Sequence, residues 1–322
     1  MSLIEIADYR LAFDGFEGRV QVLDGIDLAI EAGEAVGIVG ETGCGKSVLA
    51  RSMLRLNPAP PARIVSGQIR YDGADILAMP PDRLRDLRGG TIGMVFQDPV
   101  TYLNPVFTIG RQMAEVLRAH EPDLSRAQRR ARSIELLDAV RLPDPAGLLD
   151  RYPHELSGGM RQRVLIAEAL AGNPRVLIAD EPTTALDVTI QRQILALIAD
   201  LVERLGLTLV LISHDLGVIG AVCRRIVVMY AGTVVEDAPA ESLFRAPQHP
   251  YTRGLLAAMP DLGRPDHMPE GIAGSIPDLR SPPKGCRFHP RCPLATAICS
   301  ERKPVLDGGP HAVACHAVAA AA

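Results

Sequence analysis

The sequence lacks any apolar run close to the roughly 20 residues that a membrane-spanning helix requires. The longest apolar stretches, 205–213 and 226–235, predict buried strands instead. Residues 1–8 contain early acidic side chains and lack the basic region with which a signal peptide begins. We therefore expect a cytosolic protein that reaches a membrane only through a partner.

The sequence also lacks an excess of basic residues. It has 34 Lys and Arg against 38 Asp and Glu, which gives a net charge of −4, so nothing indicates a nucleic-acid partner. Apolar residues make up 47% and charged residues 22% of the 322 residues, as in ordinary globular proteins. This length suits one large domain or two modest ones.

Short apolar strands alternate with helices along most of the chain. The predicted strands are 3–13, 20–30, 35–39, a pair within 67–77, 176–180, 207–213 and 226–230. The predicted helices are 47–56, 111–120, 125–141 and 157–171, the last three within a helical region of about 105–173. This alternation indicates an α/β core with a parallel sheet and an inserted helical subdomain.

The composition changes near residue 245, where Pro, Gly and Arg become frequent. Four of the six cysteines fall between positions 286 and 315. We place a domain boundary at Pro247, so that residues 1–247 form the main domain and residues 248–322 form a loop-rich extension.

Residues 40–47 fit the phosphate-loop pattern G-x-x-x-x-G-K-[ST] between a predicted strand and a predicted helix. The glycines allow backbone N–H groups to approach phosphates, Lys46 reaches the β- and γ-phosphates, and the Ser47 hydroxyl binds Mg²⁺. The alternative to a phosphate-binding role is a glycine-rich turn between the strand and the helix. The predicted nucleotide contacts are Gly40, Glu41, Thr42, Gly43, Cys44, Gly45, Lys46 and Ser47.

Two adjacent carboxylates, Asp180 and Glu181, end the apolar strand 176–180. A carboxylate there can bind Mg²⁺, directly or through water, and we assign that role to Asp180. Glu181 is then placed to orient or deprotonate the attacking water. Alone, such a pair would more often begin a solvated loop, but Lys46 and Ser47 favour the functional interpretation.

Two more polar residues, Gln97 and His214, each follow an apolar strand. The amide of Gln97 can contact Mg²⁺ or the water without adding charge, and His214 can donate a hydrogen bond to the γ-phosphate. Each alone would be an ordinary surface or structural residue. Together with the acids they form the pattern expected when a ligand binds at the carboxyl ends of an α/β sheet.

A second anion site is predicted where a helix begins with Ser157, Gly158 and Gly159. A hydroxyl and unpaired N–H groups at a positive helix end attract an anion. One nucleotide does not explain two such sites in one chain.

Taken together, these motifs resemble those of ABC transporter ATPases over about residues 1–245. The resemblance implies a phosphate-loop ATPase fold with an antiparallel β subdomain at the N-terminus. It makes residues 156–160 the signature, which faces the ATP held by a partner chain, and Gln97 the Q-loop residue. It also makes Glu181 the catalytic carboxylate, residues 184–187 the D-loop and His214 the switch histidine. Met160 departs from the Gln that many members have.

The same resemblance implies an aromatic side chain that stacks on adenine, contributed by the N-terminal strands. Phe13 is the first candidate and Tyr9 the second. A role as a core or edge aromatic residue is nearly as good an interpretation for either one.

Three segments, 97–105, 249–252 and 285–293, resemble the ATP-binding subunits of bacterial oligopeptide and dipeptide importers, of the dipeptide D-subunit type. That group also includes nickel and glutathione importers. The resemblance implies an ATPase that uses ATP and Mg²⁺ at the cytoplasmic face of the inner membrane. Its implied partners are two permeases, a second ATPase that is homologous or identical, and, indirectly, an external binding protein.

Two other classes of ABC protein remain as alternatives. A non-transport ABC ATPase acting on DNA or ribosomes usually carries tandem ATPase domains, long coiled coils or basic surfaces, and none is evident here. An exporter ATPase would not be expected to carry the extension.

The extension carries Cys286, Cys292, Cys299 and Cys315, separated by five, six and fifteen residues. A cytosolic location argues against disulfides, so the cluster suggests a metal site, although it lacks the C-x₂-C pairs of a zinc ribbon. Relatives with this extension are associated with a [4Fe–4S] cluster, for which four thiolates are a suitable ligand set. Zinc and free buried thiols remain alternatives. The candidate substitute ligands for zinc are His289, His311 and His316.

Overall fold

The computed structural model describes residues 2–16, 18–184, 186–259 and 271–319. Its strands are β1 (Ile4–Gly15), β2 (Gly18–Ile30), β3 (Ala35–Val39), β4 (Ala62–Tyr71), β5 (Ala74–Asp75), β6 (Ile92–Val95), β7 (Val176–Asp180), β8 (Thr208–Ser213), β9 (Arg225–Tyr230), β10 (Thr233–Pro239) and β11 (Ala312–Val313).

Most of the helices are short. They are α1 (Lys46–Ser52), α2 (Pro81–Leu87), α3 (Pro99–Tyr102), α4 (Ile109–His120), α5 (Arg126–Ala139), α6 (Pro145–Leu148), α7 (Gly158–Leu170), α8 (Val188–Leu205), α9 (Leu216–Val222), α10 (Ala240–Arg245), α11 (Pro250–Ala257), α12 (Ala297–Glu301) and α13 (His316–Ala319). Two 3₁₀ turns cover Pro153–Glu155 and His289–Arg291. No helix in the described ranges is long and apolar enough to span a bilayer.

The chain divides into two compact units. The first contains residues 1–31, 35–78 and 212–322, and therefore includes the C-terminal extension. The second contains residues 32–34 and 79–211. Strand β8 runs across the boundary, with its last two residues in the first unit.

In the first unit, four strands form an antiparallel sheet in the order β2-β1-β4-β5. A bulge interrupts β1 at Asp8 and Tyr9, where its register shifts against both neighbours. Gly67 of β4 faces this bulge with φ +89°, and a Cβ atom there would lie 2.4 Å from the Asp8 carbonyl oxygen. Only glycine therefore fits at position 67, and the bulge increases the local twist of the sheet.

The first unit also contains the strand order β11-β10-β9-β3. Strands β3 and β9 are parallel, with Val36 opposite Arg225 and Val39 opposite Val228. Apart from Arg225, both strands are apolar, and they are almost wholly buried, as expected for parallel strands that are covered on both faces. The extension supplies β11, which pairs with β10 in the antiparallel sense.

In the second unit, β6 and β7 pair in parallel, from Ile92 opposite Val176 to Val95 opposite Ala179. Polar caps begin the main helices of this unit. Thr108 caps α4, Asp187 caps α8, and Ser125 forms a reciprocal capping box with Gln128 at α5. Each cap satisfies backbone N–H groups that the first turn of a helix leaves unpaired.

The predicted α/β fold class is confirmed, with an antiparallel sheet, parallel strand pairs and a helical segment between β6 and β7. The helix predicted at 47–56 is shorter than expected and ends at Ser52. The strand pair predicted within 67–77 is present as β4 and β5, which pair in the antiparallel sense around Asp72 and Gly73, although β4 begins earlier than expected, at Ala62.

Candidate functional site

The phosphate loop connects β3 to α1 in the first unit. Gly40, Gly43 and Gly45 have φ values of +155°, +85° and +101°, which side chains rarely adopt. At Gly40 a Cβ atom would also lie 2.2 Å from the Met229 carbonyl oxygen, so this position requires glycine. Thr42 and Gly43 are exposed at the tip of the loop, where a phosphate could approach.

Lys46 begins α1 and is only 4% exposed. Its Nζ atom donates to the carbonyl oxygens of Gly40, at 2.6 Å, and Glu41, at 3.1 Å. The ammonium group is thus held inside the curve of the loop. Cys44 is fully buried and burial raises its pKa, so it packs as a small apolar residue.

The two carboxylates at the end of β7 lie in different environments, as expected. Asp180 is the last residue of the strand and is 1% exposed. Glu181 turns away with φ +46° and is half-buried. Its Oε2 atom accepts hydrogen bonds from Gln97 Nε2, at 2.8 Å, and from Thr184 Oγ1, at 2.9 Å. The structure therefore brings Gln97 and Glu181 together within the second unit.

The signature residues begin α7, also in the second unit. Ser157 is the N-cap of this helix, and its hydroxyl accepts from the Met160 N–H at 3.4 Å. Ser157 and Gly158 are exposed. A Cβ atom at Gly159 would lie 2.7 Å from Ile190 Cγ2 of α8, so close packing is one reason for glycine at this position. Of the predicted D-loop residues, Ala185 lies outside the described residues, and Asp187 caps α8.

The remaining predicted contacts lie in the first unit. His214 is exposed directly after β8. Phe13 is half-buried near the end of β1, opposite Val20 and Ala62. Tyr9 is 1% exposed, hydrogen-bonds to Ser52, and has a pKa raised by burial. Of the two aromatic candidates, Phe13 is therefore the one that a ring could reach.

The four cysteines of the extension are all free. Burial raises the pKa of Cys286 to about 11, and the charges of Cys299, Cys292 and Cys315 contribute to that shift. Nevertheless, the described residues contain no group of three or more His, Cys, Asp or Glu side chains that could hold a metal ion. The predicted [4Fe–4S] cluster is therefore not supported.

The three histidines considered as zinc ligands have other partners. His289 Nδ1 lies 2.9 Å from the Cys286 carbonyl oxygen, and His316 Nε2 lies 2.9 Å from the Arg302 carbonyl oxygen. His311 Nε2 lies 2.6 Å from the carboxylate of Glu236. Each of these contacts engages one ring nitrogen of the histidine.

Sequence reasoning missed two residues of the extension that contact the phosphate loop. Arg291 forms a two-pronged ion pair with the Glu41 carboxylate, and the Tyr251 hydroxyl accepts from the Glu41 N–H. Both residues lie in segments that the sequence singles out, 249–252 and 285–293. Nothing in the sequence links either residue to a loop more than 200 positions earlier.

Two family descriptions match the chain. Residues 23–184 match the ABC transporter family, and residues 235–299 match the oligopeptide/dipeptide transporter C-terminal region. The second match begins within β10, ahead of the boundary expected at Pro247.

Curated relatives align with nearly the whole chain. A probable peptide ABC transporter ATP-binding protein of Sinorhizobium fredii is 49% identical over 317 residues, which are 97% of this chain and 94% of the relative. The oligopeptide transport ATP-binding protein OppD of Bacillus subtilis is 45% identical over 94% of this chain and 84% of its own length. The dipeptide transport ATP-binding protein DppD of Escherichia coli is 42% identical, covering 95% and 93%.

Solved structures of ABC cassettes share the fold. The cassette MJ0796, in a dimeric post-hydrolysis state bound to ADP and Pi, aligns with a TM-score of 0.66 and 29% identity over 74% of this chain and 98% of its own. CbiO1 of Clostridium perfringens aligns with a TM-score of 0.64 and 28% identity, covering 76% and 91%. The chain therefore belongs to the ABC transporter ATPases, in the branch that carries the oligopeptide/dipeptide transporter C-terminal region.

Proposed function

We propose that this chain is the ATP-hydrolysing subunit of a bacterial importer of dipeptides or oligopeptides. The observation that carries the proposal is the succession, in one chain, of the ABC match at 23–184 and the oligopeptide/dipeptide match at 235–299. Relatives named for peptide transport, at 42–49% identity over most of the chain, support it.

In this proposal the phosphate loop binds the polyphosphate of ATP. The backbone N–H groups at the exposed tip and the Lys46 ammonium provide positive charge for the phosphate oxygens. Two of the three Lys46 N–H groups donate to loop carbonyls, so a phosphate oxygen would take the third or replace one of these acceptors. Phe13 is the residue proposed to stack on the adenine ring.

The proposed Mg²⁺ ligands are Ser47, Gln97 and Asp180. Hydroxyl, amide and carboxylate oxygens are the hard donors that this ion prefers, so the residues present fit the ion. When bound, Mg²⁺ supplies charge neutralisation at the β- and γ-phosphates. The burial of Asp180 at the end of β7 agrees with a role that fixes a carboxylate in place.

Glu181 is proposed as the general base. It would accept a proton from the water that attacks the γ-phosphorus, while the bond from that phosphorus to the β-phosphate oxygen breaks to give ADP and phosphate. The hydrogen bonds from Gln97 and Thr184 orient its carboxylate. His214 is proposed to donate a hydrogen bond to the γ-phosphate as negative charge develops there.

The signature residues Ser157, Gly158 and Gly159 are proposed to bind the ATP of a second ATPase chain, which is homologous or identical. Their position at the exposed start of α7 supports this role, because a helix N-terminus attracts phosphate. The related cassette MJ0796 is described as dimeric.

Two permease subunits complete the proposed transporter at the cytoplasmic face of the inner membrane, and an external binding protein delivers the substrate to them. The proposal names ATP and Mg²⁺ as cofactors. It gives the four cysteines no part, since the described residues form no group that could hold a metal.

Replacement of the proposed base tests the ATPase assignment. In the full-length chain, Glu181→Gln should lower the rate of phosphate release by about 10²–10⁴-fold while ATP binding is retained, because the amide keeps the shape but cannot take a proton. Glu203→Gln, on the exposed side of α8, is the matched control and should leave the rate unchanged. Near-normal hydrolysis by Glu181→Gln would remove Glu181 from this role.

A further inference from the structure

The C-terminal extension contacts the phosphate loop at Glu41. Arg291 donates from both of its terminal nitrogens to the Glu41 carboxylate, at 2.7 Å to Oε2 and at 3.1 Å to Oε1. The Arg291 side chain is 5% exposed and that of Glu41 is 31% exposed. A two-pronged, largely buried ion pair of this kind fixes the orientation of the Glu41 carboxylate and also balances its charge.

Arg291 is itself held rigidly by its surroundings. Its Nε atom donates to the Ala273 carbonyl oxygen at 2.9 Å, and one terminal nitrogen donates to the Ile272 carbonyl oxygen at 3.1 Å. The other terminal nitrogen donates to the Tyr230 hydroxyl at 3.3 Å. The hydrogen bond to Glu41 is the main cause of the raised pKa of Arg291, so its charge is permanent. The extension therefore presents a preorganised cation to the loop.

Tyr251 holds the backbone of the same residue. Its hydroxyl oxygen accepts from the Glu41 N–H at 2.9 Å. The ring packs against Tyr230 and Phe288, with centroids 4.7 Å and 5.4 Å away, and burial raises the pKa of the hydroxyl. The hydroxyl thus stays neutral, and the extension holds both the side chain and the main chain of Glu41.

Glu41 also contacts the loop groups that would bind phosphate. The Glu41 carbonyl oxygen accepts from Lys46 Nζ at 3.1 Å and from the Cys44 N–H at 3.2 Å. The Glu41 side chain also places a negative charge on a loop that binds polyanions, and a neighbouring like charge weakens such binding. Arg291 neutralises that charge and keeps the carboxylate turned toward the extension.

We propose that Arg291 is a positioning residue for nucleotide binding that acts through Glu41, so that the C-terminal extension sets the affinity of the phosphate loop for ATP. This inference rests on the proposed function, because it assumes that the loop binds ATP. A purely structural tether would stabilise the fold without changing that affinity.

The test is a double-mutant cycle on the full-length chain, with the dissociation constant for MgATP measured at equilibrium by calorimetry. Arg291→Met should weaken MgATP binding roughly tenfold, within the usual range of coupling between sites. In a Glu41→Gln background, where no carboxylate needs neutralising, the same substitution should change binding less than about twofold.

Lys303→Met is the matched control, because Lys303 also ties the extension to the rest of the first unit. Its ammonium donates to the Asp24 carbonyl oxygen at 2.6 Å and lies 3.0 Å from the Asp24 carboxylate, so its partner is Asp24 and not Glu41. This variant should bind MgATP like the wild-type chain even where its thermal unfolding midpoint falls.

An equal loss of MgATP affinity from Arg291→Met in both backgrounds, or no loss in either, would overturn the proposal. Should Arg291→Met not fold, Arg291→Lys serves instead, since it keeps the charge and loses the two-pronged geometry. It should weaken binding by about threefold in the wild-type background and leave binding unchanged in the Glu41→Gln background. A wild-type chain that binds no MgATP would count against the proposed function instead.

Discussion

At the scale of single residues, Glu181 adopts a left-handed backbone conformation that costs a non-glycine residue roughly 1 kcal/mol or more. Hydrogen bonds from Gln97 and Thr184 hold its carboxylate in the resulting position. The turn separates Glu181 from Asp180, which stays buried at the strand end. The two adjacent carboxylates therefore lie in different environments, which suits the separate roles proposed for them.

Glu168 of α7 is a buried acid that the proposed mechanism does not use. Burial raises its pKa to about 7, and its Oε1 atom has no hydrogen-bond partner among the described residues. The folded chain therefore holds this proton between about pH 4.5 and pH 7, whereas the unfolded chain releases it. The contribution of Glu168 to stability is fully present below pH 4.5 and is lost as the pH rises through 7.

Glu168→Gln should remove that dependence, because the amide is neutral at every pH. Measured by urea unfolding, the variant should gain stability relative to the wild-type chain as the pH rises from about 5 to about 8, up to about 3 kcal/mol. Glu203→Gln, at an exposed site, should show a constant difference over the same range. A constant difference for Glu168→Gln as well would contradict the assigned shift in pKa.

At the scale of elements, the start of α7 combines the proposed binding residues with close packing against α8. A Cβ atom at Gly159 would lie 2.7 Å from Ile190 Cγ2, whereas one at Gly158 would lie 3.3 Å from the flexible end of Leu186. Alanine is more favourable than glycine in a helix by up to about 1 kcal/mol. Replacement by alanine should therefore lower the stability at position 159, where it clashes, and leave it unchanged or raise it at position 158.

Gly159→Ala should lower the free energy of unfolding by about 1–3 kcal/mol through overpacking against α8. Gly158→Ala should be neutral or stabilising by up to about 1 kcal/mol, and so acts as the matched control. Urea unfolding of the full-length chain measures both. Equal stability of the two variants would mean that α8 does not restrict Gly159.

The sequence predicts the strands and the residues that follow them more reliably than it predicts contacts between distant segments. Asp180, Gln97 and His214 each follow or end a continuous apolar strand, and that pattern is local. The hydrogen bond between Gln97 and Glu181 spans 84 positions and follows from the parallel pairing of β6 with β7, so the fold had to be known first. The pair of Arg291 with Glu41 spans 250 positions and has no periodic signature.

At the scale of the whole molecule, the extension is anchored to the rest of the first unit by more than apolar packing. Glu236 of β10 is fully buried and accepts from the backbone N–H groups of Gln248 and His249, at 2.8 Å and 2.9 Å. His311, near the far end of the extension, contacts the same carboxylate through Nε2, at 2.6 Å. Burial lowers the pKa of His249 to about 4, so its neutral Nδ1 accepts from the Tyr251 N–H. These hydrogen bonds fix residues 248–251, and so they position Tyr251 at the phosphate loop.

The composition of the extension indicates loops and a cysteine cluster, but not this network. Its proline and cysteine content is visible in the sequence, whereas the burial of Glu236 depends on β10 and β11 pairing at the sheet edge. The four cysteines of the extension are equally visible in the sequence, but the described residues form no group that could hold a metal ion.

The central claim is that ATP hydrolysis at Glu181 powers the uptake of peptides. The most direct measurement is the depletion of a defined pool of di- to pentapeptides, together with nickel and glutathione, from the medium. Cells would carry either the wild-type chain or Glu181→Gln, at equal abundance, as their only copy. The account predicts that Glu181→Gln stops peptide depletion and leaves nickel and glutathione uptake unchanged, whereas peptide depletion at the wild-type rate would contradict it.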